Sequence, residues 1–366
     1  MALTRTALAM VQTAPRRLEA RELPLPALGA DDALLRVEAC GICGSDVESF
    51  EGVLRVPLPL VPGHEPLGVI EEIGERAARR WGVARGDRVA VETLLPCGAC
   101  RACRSGSYQL CATRRIYSYI PLAEPPGLWG AYAEYLYLPP NAILHKVDPA
   151  LLAELAVLFN PLGAGFRWAV EMPRTQPGDT VLVMGPGQRG LASVLACREA
   201  GAAKIIVTGL AADARKLELA REFGAHCAID VQNEDAKRRI RELTDGRGAD
   251  VVVDVSSYST APVADALDYV RPGGTVVLAG VKGFKAIPEF ISDKIVMKEI
   301  AIRGAIGVTS SGYASAIRLI ESGRHPLAKM HTHDFSLREA ELAIRTLARE
   351  IPGEESIHSC LLPGRG

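Results

Sequence analysis

The feature that most constrains the fold is a regular alternation of apolar strands and helices that begins near residue 180 and ends at residue 304. The predicted strands are Thr180–Met184, Lys204–Thr208, Cys227–Asp230, Asp250–Val255, Thr275–Gly280 and Glu299–Gly304. Helical segments separate most of these strands. Because apolar strands that alternate with helices form parallel sheets covered on both faces, this region predicts a doubly wound α/β domain.

The turn between the first of these strands and its helix is rich in glycine. It consists of Gly185, Pro186, Gly187, Gln188, Arg189 and Gly190. This is a G-x-G-x-x-G sequence in the strand–turn–helix context of dinucleotide-binding folds. Glycines let the backbone approach a pyrophosphate at a helix N-terminus, where the amide groups and the helix dipole favour an anion. The hexapeptide alone is weak evidence, but at this position it predicts a nucleotide site.

A second group of polar side chains lies upstream, in the segments GICGSD and PGHE, which are predicted loops. Its members are Cys43, Ser45, Asp46, His64 and Glu65. Thiolate and imidazole are ligands that zinc prefers, and a carboxylate can complete the set. Ser45 can relay the proton of an alcohol at the metal, and Asp46 can accept the spare N–H of His64. The alternative is a buried cysteine and a loop histidine without a metal.

Four further cysteines lie in one loop, with two, two and seven residues between them. They are Cys97, Cys100, Cys103 and Cys111. Four thiolates at such short separations can close a tetrahedron round zinc, which predicts a structural site. An iron–sulfur cluster is the competing interpretation, but the chain has no second, differently spaced set of cysteines. Because clustered thiols and an odd total of nine cysteines favour a reducing compartment, a cytoplasmic location is expected.

Length and composition set the remaining expectations. A chain of 366 residues predicts two domains. Short strands with turn signals before residue 140 predict a β-rich, partly open barrel. A net charge of −1 gives no general attraction to nucleic acid or anionic membranes, and neither a signal peptide nor a membrane span is evident. Phe50, Tyr117 and Trp129 are candidate walls of an apolar pocket, and core positions are the alternative for Tyr117 and Trp129.

Taken together, GICGSD, PGHE, the four-cysteine loop, GPGQRG, GADVVVDV, RPGGTVVLAG and KEIAIRG resemble a zinc-dependent medium-chain dehydrogenase/reductase of the alcohol, sorbitol and threonine dehydrogenase kind. The resemblance covers nearly the whole chain. It implies a GroES-like catalytic domain (residues 1–160), a Rossmann NAD(P)-binding domain (161–304) and a return to the catalytic domain (305–366). It also implies a homodimer or homotetramer that oxidises a small-molecule alcohol, here expected to be secondary or apolar/aromatic.

The resemblance also implies roles for single residues. Cys43 and His64 would bind a catalytic zinc beside Glu65, and the four-cysteine loop would hold a structural zinc. Gly185, Gly187 and Gly190 would face the cofactor pyrophosphate. One alternative is an NAD(P)H-dependent carbonyl or C=C reductase whose zinc is structural only. Another is a non-catalytic relative that uses the fold for binding.

Three positions depart from the family pattern. Asn160 stands where an ionised zinc ligand is usual, so Glu65 is expected to coordinate and Asn160 to lie near the metal. Glu48 stands where many members have a histidine that passes the proton to solvent. Gly209 stands where NAD-dependent members have an acid for the ribose. NAD is therefore expected on family frequency alone, with NADP as the alternative.

Three further side chains are candidates for the cofactor site. Asp213 could reach the ribose, although helix N-capping is its favoured role. Arg189 and His358 are predicted to face the pyrophosphate, and solvent-exposed positions are the alternative for both.

Overall fold

The structure, a computed structural model, describes residues 5–365. The chain divides into two compact units. The first contains the chain up to Asn160 and again from Gly307, and the second is Pro161–Ile306. The second unit is thus inserted into the sequence of the first.

Short loops connect some consecutive strands, and helices connect others. In chain order they are β1 (Thr6–Ala14), β2 (Arg17–Pro24), β3 (Ala33–Ile42), β4 (Pro66–Ile73), β5 (Arg88–Val91), β6 (Leu94–Leu95), β7 (Arg115–Ile116), β8 (Tyr135–Leu138), β9 (Leu144–Lys146), β10 (Thr180–Met184), β11 (Lys204–Gly209), β12 (Cys227–Asp230), β13 (Ala249–Asp254), β14 (Val270–Leu278), β15 (Ala301–Gly304), β16 (His331–Phe335) and β17 (His358–Leu361).

The α-helices before residue 188 have four to eight residues, and those from residue 188 onward have six to twelve. They are α1 (Gly44–Phe50), α2 (Glu75–Trp81), α3 (Arg101–Arg104), α4 (Ala153–Ala156), α5 (Phe159–Phe166), α6 (Gln188–Glu199), α7 (Ala214–Glu222), α8 (Ala236–Leu243), α9 (Ala261–Tyr269), α10 (Asp293–Lys298), α11 (Ser310–Glu321) and α12 (Ala340–Leu347). A π-helical turn, Arg167–Glu171, follows α5.

The second unit is built on one parallel sheet. Its strand order is β12-β11-β10-β13-β14-β15, and every neighbouring pair is parallel. The order reverses between β10 and β13, which is the switch point where open α/β sheets bind ligands at the carboxyl ends of their strands. The buried faces of β10, β11 and β13 carry apolar side chains that pack against α8 and α9. The predicted doubly wound parallel sheet is confirmed.

The first unit is built mainly on an antiparallel sheet. Its order is β16-β17-β3-β4-β5-β9, with β8 also paired to β3. Only the β16–β17 pair in this sheet is parallel. A separate hairpin, β1–β2, covers part of the core. This is the expected β-rich GroES-like domain, and the fold class is confirmed.

The three aromatic residues considered as pocket walls belong to the core of the first unit. Phe50, Tyr117 and Trp129 are each at most 4% exposed and lie in one continuous apolar cluster. The Tyr117 hydroxyl donates to the carbonyl of Tyr137 at 3.1 Å, so its polar end is satisfied inside the core. These side chains therefore give no support for an apolar or aromatic substrate.

No helix within residues 5–365 is long and apolar enough to cross a membrane.

Candidate active site

Strand β3 delivers the first candidate residue to the start of α1. Cys43 is the N-cap of this helix and has an extended backbone. Its N–H donates to Oδ2 of Asp46 at 2.9 Å, and the Asp46 N–H donates to the Cys43 carbonyl at 3.0 Å. Asp46 therefore fixes the turn that presents the thiol, a reciprocal capping arrangement that satisfies backbone groups at the helix start.

The structure brings the predicted thiol, hydroxyl and imidazole together. Cys43 Sγ lies 2.8 Å from Ser45 Oγ and 3.2 Å from His64 Nε2, and Ser45 Oγ lies 3.3 Å from the same nitrogen. On the other side of the ring, His64 Nδ1 lies 3.3 Å from Asp46 Oδ1. The carboxylate thus faces Nδ1 and leaves Nε2 directed at Cys43 and Ser45. This is the orientation that a metal-binding histidine needs.

Burial and nearby charges shift the pKa of His64 in opposite directions. Burial alone lowers the pKa of its imidazole, but the nearby charges of Asp46 and Cys43 outweigh burial and hold the pKa well above its ordinary value. A cation is therefore favoured at this position. A metal ion bound by the neutral ring can supply that positive charge in place of the proton.

Glu65 completes a set of three donors. Its carboxylate, Cys43 Sγ and a His64 nitrogen all lie within 4.8 Å of one another, and each of the three residues is buried. A side chain at Gly41 would collide with Glu65 Oε2, so glycine at that position gives the carboxylate its space. Sulfur, nitrogen and carboxylate oxygen are the donors that zinc accepts, and three of them leave a fourth position open. These residues fit a catalytic zinc.

Asn160 is connected to this set through a network of hydroxyl groups. Its Nδ2 donates to Thr93 Oγ1 at 3.2 Å and to the Tyr313 hydroxyl at 3.3 Å. The Thr93 hydroxyl in turn donates to the backbone carbonyl of His64 at 2.8 Å. Asn160 is thus linked to a metal-binding residue through one intervening side chain.

Glu48 lies on α1, one turn beyond Ser45. Burial, followed by the charge of Glu51, raises the pKa of its carboxyl group. Within residues 5–365 no hydrogen bond joins this carboxylate to Ser45 or Cys43. The predicted role of Glu48 in passing a proton to solvent stays a prediction.

Several neighbours of the cluster were not identified from the sequence. Thr93 and Tyr313 hold Asn160, Ser118 Oγ lies 3.5 Å from His64 Nδ1, and the Tyr119 ring lies 6.3 Å from the imidazole. Burial raises the pKa of Tyr119 to about 12, so its hydroxyl stays protonated. No motif spacing marks these positions, although Tyr119 belongs to the same aromatic segment as the buried Tyr117.

The four cysteines of the second motif also converge. Their sulfur atoms lie within 4.8 Å of one another, and Cys100 and Cys103 are 3.5 Å apart. None is in a disulfide. The N–H of Cys100 donates to Cys97 Sγ at 3.4 Å, and that of Cys97 donates to Cys111 Sγ at 3.5 Å. Four thiols with backbone donors fit a closed zinc tetrahedron.

Two of these thiols have pKa values shifted in opposite directions. The backbone N–H groups of Ala99 and Cys100 lower the pKa of Cys97 to about 6. Burial and the hydrogen bond with Cys100 raise the pKa of Cys103 to about 12. One thiolate therefore forms readily without metal, whereas four together need a cation to offset their charge.

The glycine turn of the second unit has the geometry of a phosphate-binding loop. Gly185 has φ +103°, a conformation that favours glycine. A side chain at Gly190 would collide with the carbonyl of Gly185, so this glycine allows close packing of α6 on the turn. At Gly187, the N-cap of α6, a Cβ would meet no atom within 4 Å among residues 5–365. The backbone there is open to a ligand, which fits a cofactor pyrophosphate.

The remaining residues of the turn are held by packing. Pro186 and Gln188 are buried, and the Arg189 guanidinium lies 5.1 Å from the centre of the Trp168 ring. This cation–π contact holds Arg189 in place beside the helix N-terminus.

The absence of an acid at the end of β11 has a steric reason. A Cβ at Gly209 would lie 2.8 Å from Pro186 Cγ and 3.1 Å from Leu217 Cδ2. Asp213 precedes α7 at its N-cap position but does not cap that helix with its side chain. Its carboxylate instead accepts from the Leu210 N–H at 3.2 Å and lies 3.8 Å from Lys216 Nζ. The favoured N-cap role of Asp213 is therefore wrong, because its side chain stabilises the preceding turn.

His358 lies on β17 in the first unit and is fully buried. Its Nδ1 lies 2.9 Å from Nδ1 of His331. A solvent-exposed position for His358 is therefore excluded. Its predicted role at the pyrophosphate, together with that of Arg189, stays a prediction.

Comparisons with known proteins agree with this geometry. Residues 29–149 match the alcohol dehydrogenase GroES-like domain, and residues 190–322 match the zinc-binding dehydrogenase domain. A probable alcohol dehydrogenase of Mycobacterium tuberculosis is 47% identical over 97% of this chain and 98% of its own length. The erythritol/L-threitol dehydrogenase of Mycolicibacterium smegmatis is 33% identical over 97% of both chains.

A solved structure shows the same fold. The alcohol dehydrogenase of Thermus sp. ATN1 superimposes with a TM-score of 0.85 at 30% identity, over 97% of this chain and 99% of its own. Two matched domains and relatives that align over nearly the full length leave one assignment. The chain belongs to the zinc-dependent medium-chain dehydrogenase family.

Proposed function

We propose that the protein is a zinc-dependent alcohol dehydrogenase that transfers a hydride between an alcohol and a nicotinamide cofactor. The observation that carries this proposal is the contact of Cys43, Ser45 and His64 beside the buried Glu65. A binding or scaffold protein would not need a polar cluster of this kind in a buried position. NAD is the proposed cofactor and NADP the alternative.

Cys43, His64 and Glu65 would hold the catalytic zinc, and the four-cysteine loop would hold the structural zinc. A bound zinc supplies a Lewis acid that lowers the pKa of an alcohol. Ser45 is the residue placed to accept the alcohol proton, because its hydroxyl is next to both Cys43 and His64. Asp46 keeps His64 in the orientation and tautomer that leaves Nε2 available.

Asn160 acts as a positioning residue in this proposal. Both amide N–H groups are used by the hydroxyls of Thr93 and Tyr313. A neutral amide oxygen is also a poorer zinc ligand than a carboxylate. Glu65 therefore completes the metal set, and Asn160 supports the backbone of His64 through Thr93.

The two units divide the work. Residues 1–160 and 305–366 form the catalytic domain, and residues 161–304 bind the cofactor through Gly185, Gly187 and Gly190. The alcohol itself is not specified by the cluster, since the aromatic residues considered for the pocket are in the core.

Association of two copies is proposed through strand β15. This strand is the last in the parallel sheet, and all four of its residues are exposed. Exposed apolar side chains lie on it and just before it, including Val296, Met297 and Ile302. An open strand edge with apolar neighbours is suited to pairing with an identical edge. Sedimentation of the wild-type protein and of Ile302→Lys tests this: the variant should sediment as a monomer, and a monomeric wild type would contradict the proposal.

The deciding experiment measures zinc content and activity on the same preparation. At least two zinc ions per chain, one for the Cys43 cluster and one for the four-cysteine loop, and oxidation of an alcohol with NAD or NADP are expected. Ser45→Ala should keep both zinc ions and lose about 100-fold or more in kcat, since a positioned proton acceptor contributes roughly 10²–10⁴-fold. One zinc per chain, with reduction of a carbonyl or C=C bond, would instead support the reductase alternative.

A further inference from the structure

We propose a third metal site, separate from the two zinc sites above, formed by His331, Asp334 and Cys360 and suited to zinc or a similar divalent ion. It lies where the edge strand β16 pairs with β17 in the first unit. It shares no residue with the Cys43 cluster or the four-cysteine loop.

A bulge in β16 brings these residues to one face. His331 pairs with His358, and Asp334 pairs with Cys360, with a register shift just after His331. Paired residues of parallel strands point to the same face, as do residues two apart on β17. The three-residue spacing of His331 and Asp334 would put them on opposite faces of a regular strand. The bulge adds one residue between them, so His331 and Asp334 lie on the same face.

The bulge is a fixed feature of the fold. The Thr332 hydroxyl donates to the carbonyl of His358 at 2.8 Å and accepts from the N–H of Ile357 at 3.2 Å. These bonds tie the extra residue of β16 to the neighbouring strand. The shared face is therefore held by the backbone and by Thr332, and it does not depend on the side chains of His331, Asp334 and Cys360.

The donor atoms already lie at separations close to those of a zinc site. His331 Nε2 is 2.8 Å and Cys360 Sγ is 3.5 Å from Asp334 Oδ1, and all three donors lie within 4.8 Å of one another. In a tetrahedron with ordinary zinc bond lengths, nitrogen and oxygen are roughly 3.3 Å apart, and sulfur and oxygen about 3.5 Å. Of these two pairs, the sulfur–oxygen pair already fits, and the nitrogen–oxygen pair has to widen by about half an ångström.

Neighbouring side chains orient two of the three donors. Nδ1 of His331 is 2.9 Å from Nδ1 of His358, so Nε2 is the nitrogen left for Asp334 and Cys360. Arg365 donates to Oδ2 of Asp334 at 2.8 Å, which leaves Oδ1 for the ion. Partners of this kind fix the orientation of metal-binding imidazole and carboxylate groups.

The site is accessible from one side. The Asp334 side chain is 23% exposed and that of His331 is 11% exposed, whereas Cys360 is fully buried. An ion can therefore enter past the carboxylate and meet the thiol at the base of the site. Imidazole, carboxylate and thiolate together match zinc better than magnesium or calcium, which prefer oxygen ligands only. Binding releases the thiol proton of Cys360.

Equilibrium dialysis of the full-length protein against increasing free zinc tests the site. The wild type should bind one more zinc per chain than Cys360→Ala and than His331→Ala. His333→Ala is the matched control, because His333 is on the same strand but pairs with Ser359 on the opposite face. This control should retain the additional zinc.

Cobalt binding gives a second, spectroscopic measurement that does not depend on counting bound metal ions. A thiolate-to-cobalt charge-transfer band should appear in the difference between wild type and Cys360→Ala, and His333→Ala should keep it. Equal zinc binding by wild type, Cys360→Ala and His331→Ala would overturn the proposal. The difference of one zinc is expected whether or not the Cys43 cluster itself binds metal, so failure of the proposed function and failure of this site are distinguishable.

Discussion

The four-cysteine loop and the Cys43 cluster are both candidate zinc sites, but they are assembled differently. All four thiols of the loop lie between residues 97 and 111. The Cys43 cluster instead combines the end of β3 and the loop before β4. Through Thr93 it is also connected to Asn160, the last residue of the first unit before the second unit begins in the sequence. A local site can form when its own loop folds, whereas a distributed site forms only when the whole unit folds. Metal in the loop should therefore control stability, and metal in the cluster should control activity.

Cys100→Ser, in the four-cysteine loop, should have the largest effect on stability. A closed site couples zinc binding to folding, and the binding free energy in small zinc domains reaches about 10 kcal/mol or more. A loss of even ~3 kcal/mol would lower Tm by roughly 6–12 °C for a unit of this size. We expect one zinc fewer and a lower Tm or poor solubility. Full metal content with wild-type melting would remove the structural assignment.

Cys43→Ser is the complementary change. We expect it to lose the catalytic zinc. Its kcat/KM should fall at least about 10³-fold, or ~4 kcal/mol of transition-state stabilisation. Its Tm should fall less than that of Cys100→Ser. Differential scanning calorimetry and metal analysis of both variants make the comparison. Equal destabilisation by the two variants would mean that the sites do not divide stability and activity in this way.

The same contrast explains how much the sequence predicted. The four-cysteine site and the glycine turn depend on short spacings, so their residues could be named in advance. Thr93 and Tyr313 reach Asn160 only in the folded chain, and no spacing marks them. Strand β16 was not predicted, because its sequence HTHDF is mostly polar. It is an edge strand with one hydrogen-bonded neighbour, where apolar alternation is not required.

Two side chains show how a hydrogen bond decides between competing interpretations of a position. Tyr117 was considered for a pocket because its segment is irregular, yet the hydroxyl finds a backbone carbonyl within the core. Asp213 has the right position for an N-cap of α7, but its carboxylate accepts from the N–H of Leu210, the N-cap of the 3₁₀ turn Ala211–Asp213. In both cases one hydrogen bond accounts for the position of the polar group, and such bonds are not readable from residue type alone.

Glu65→Gln and Asn160→Ala sharpen the description of the distributed site. If Glu65 is the third ligand, Glu65→Gln should strip the catalytic zinc under mild dialysis, since a neutral amide binds zinc weakly. Asn160→Ala should keep the zinc and lose about 10–100-fold in activity, the usual cost of removing a group that orients a ligand. Zinc per chain, measured before and after dialysis, separates the two. Loss of zinc from Asn160→Ala alone would reverse the assignment.

The smallest expected effect concerns the cofactor site, where the glycine turn is set by local sequence but the space at the end of β11 is not. An acid at the end of β11 would bind the ribose hydroxyls and repel a 2′-phosphate. At Gly209 the ring of Pro186 occupies the space that such a side chain needs. Gly209→Asp alone should therefore lower stability without changing cofactor choice. In a Pro186→Ala background, the same change should raise the preference for NAD over NADP by about tenfold, or ~1.4 kcal/mol.

The matched control for this pair is Gly209→Asn in the same Pro186→Ala background. Asparagine has the size of aspartate but no charge, so it cannot repel the 2′-phosphate, and its cofactor preference should stay within a few-fold of the parent. The ratio of kcat/KM for NAD and NADP, measured for all variants, gives the comparison. A wild-type preference for NADP above tenfold would contradict the choice of NAD. An equal response to aspartate and asparagine would show that shape at Pro186 and Gly209, and not charge, determines which cofactor binds.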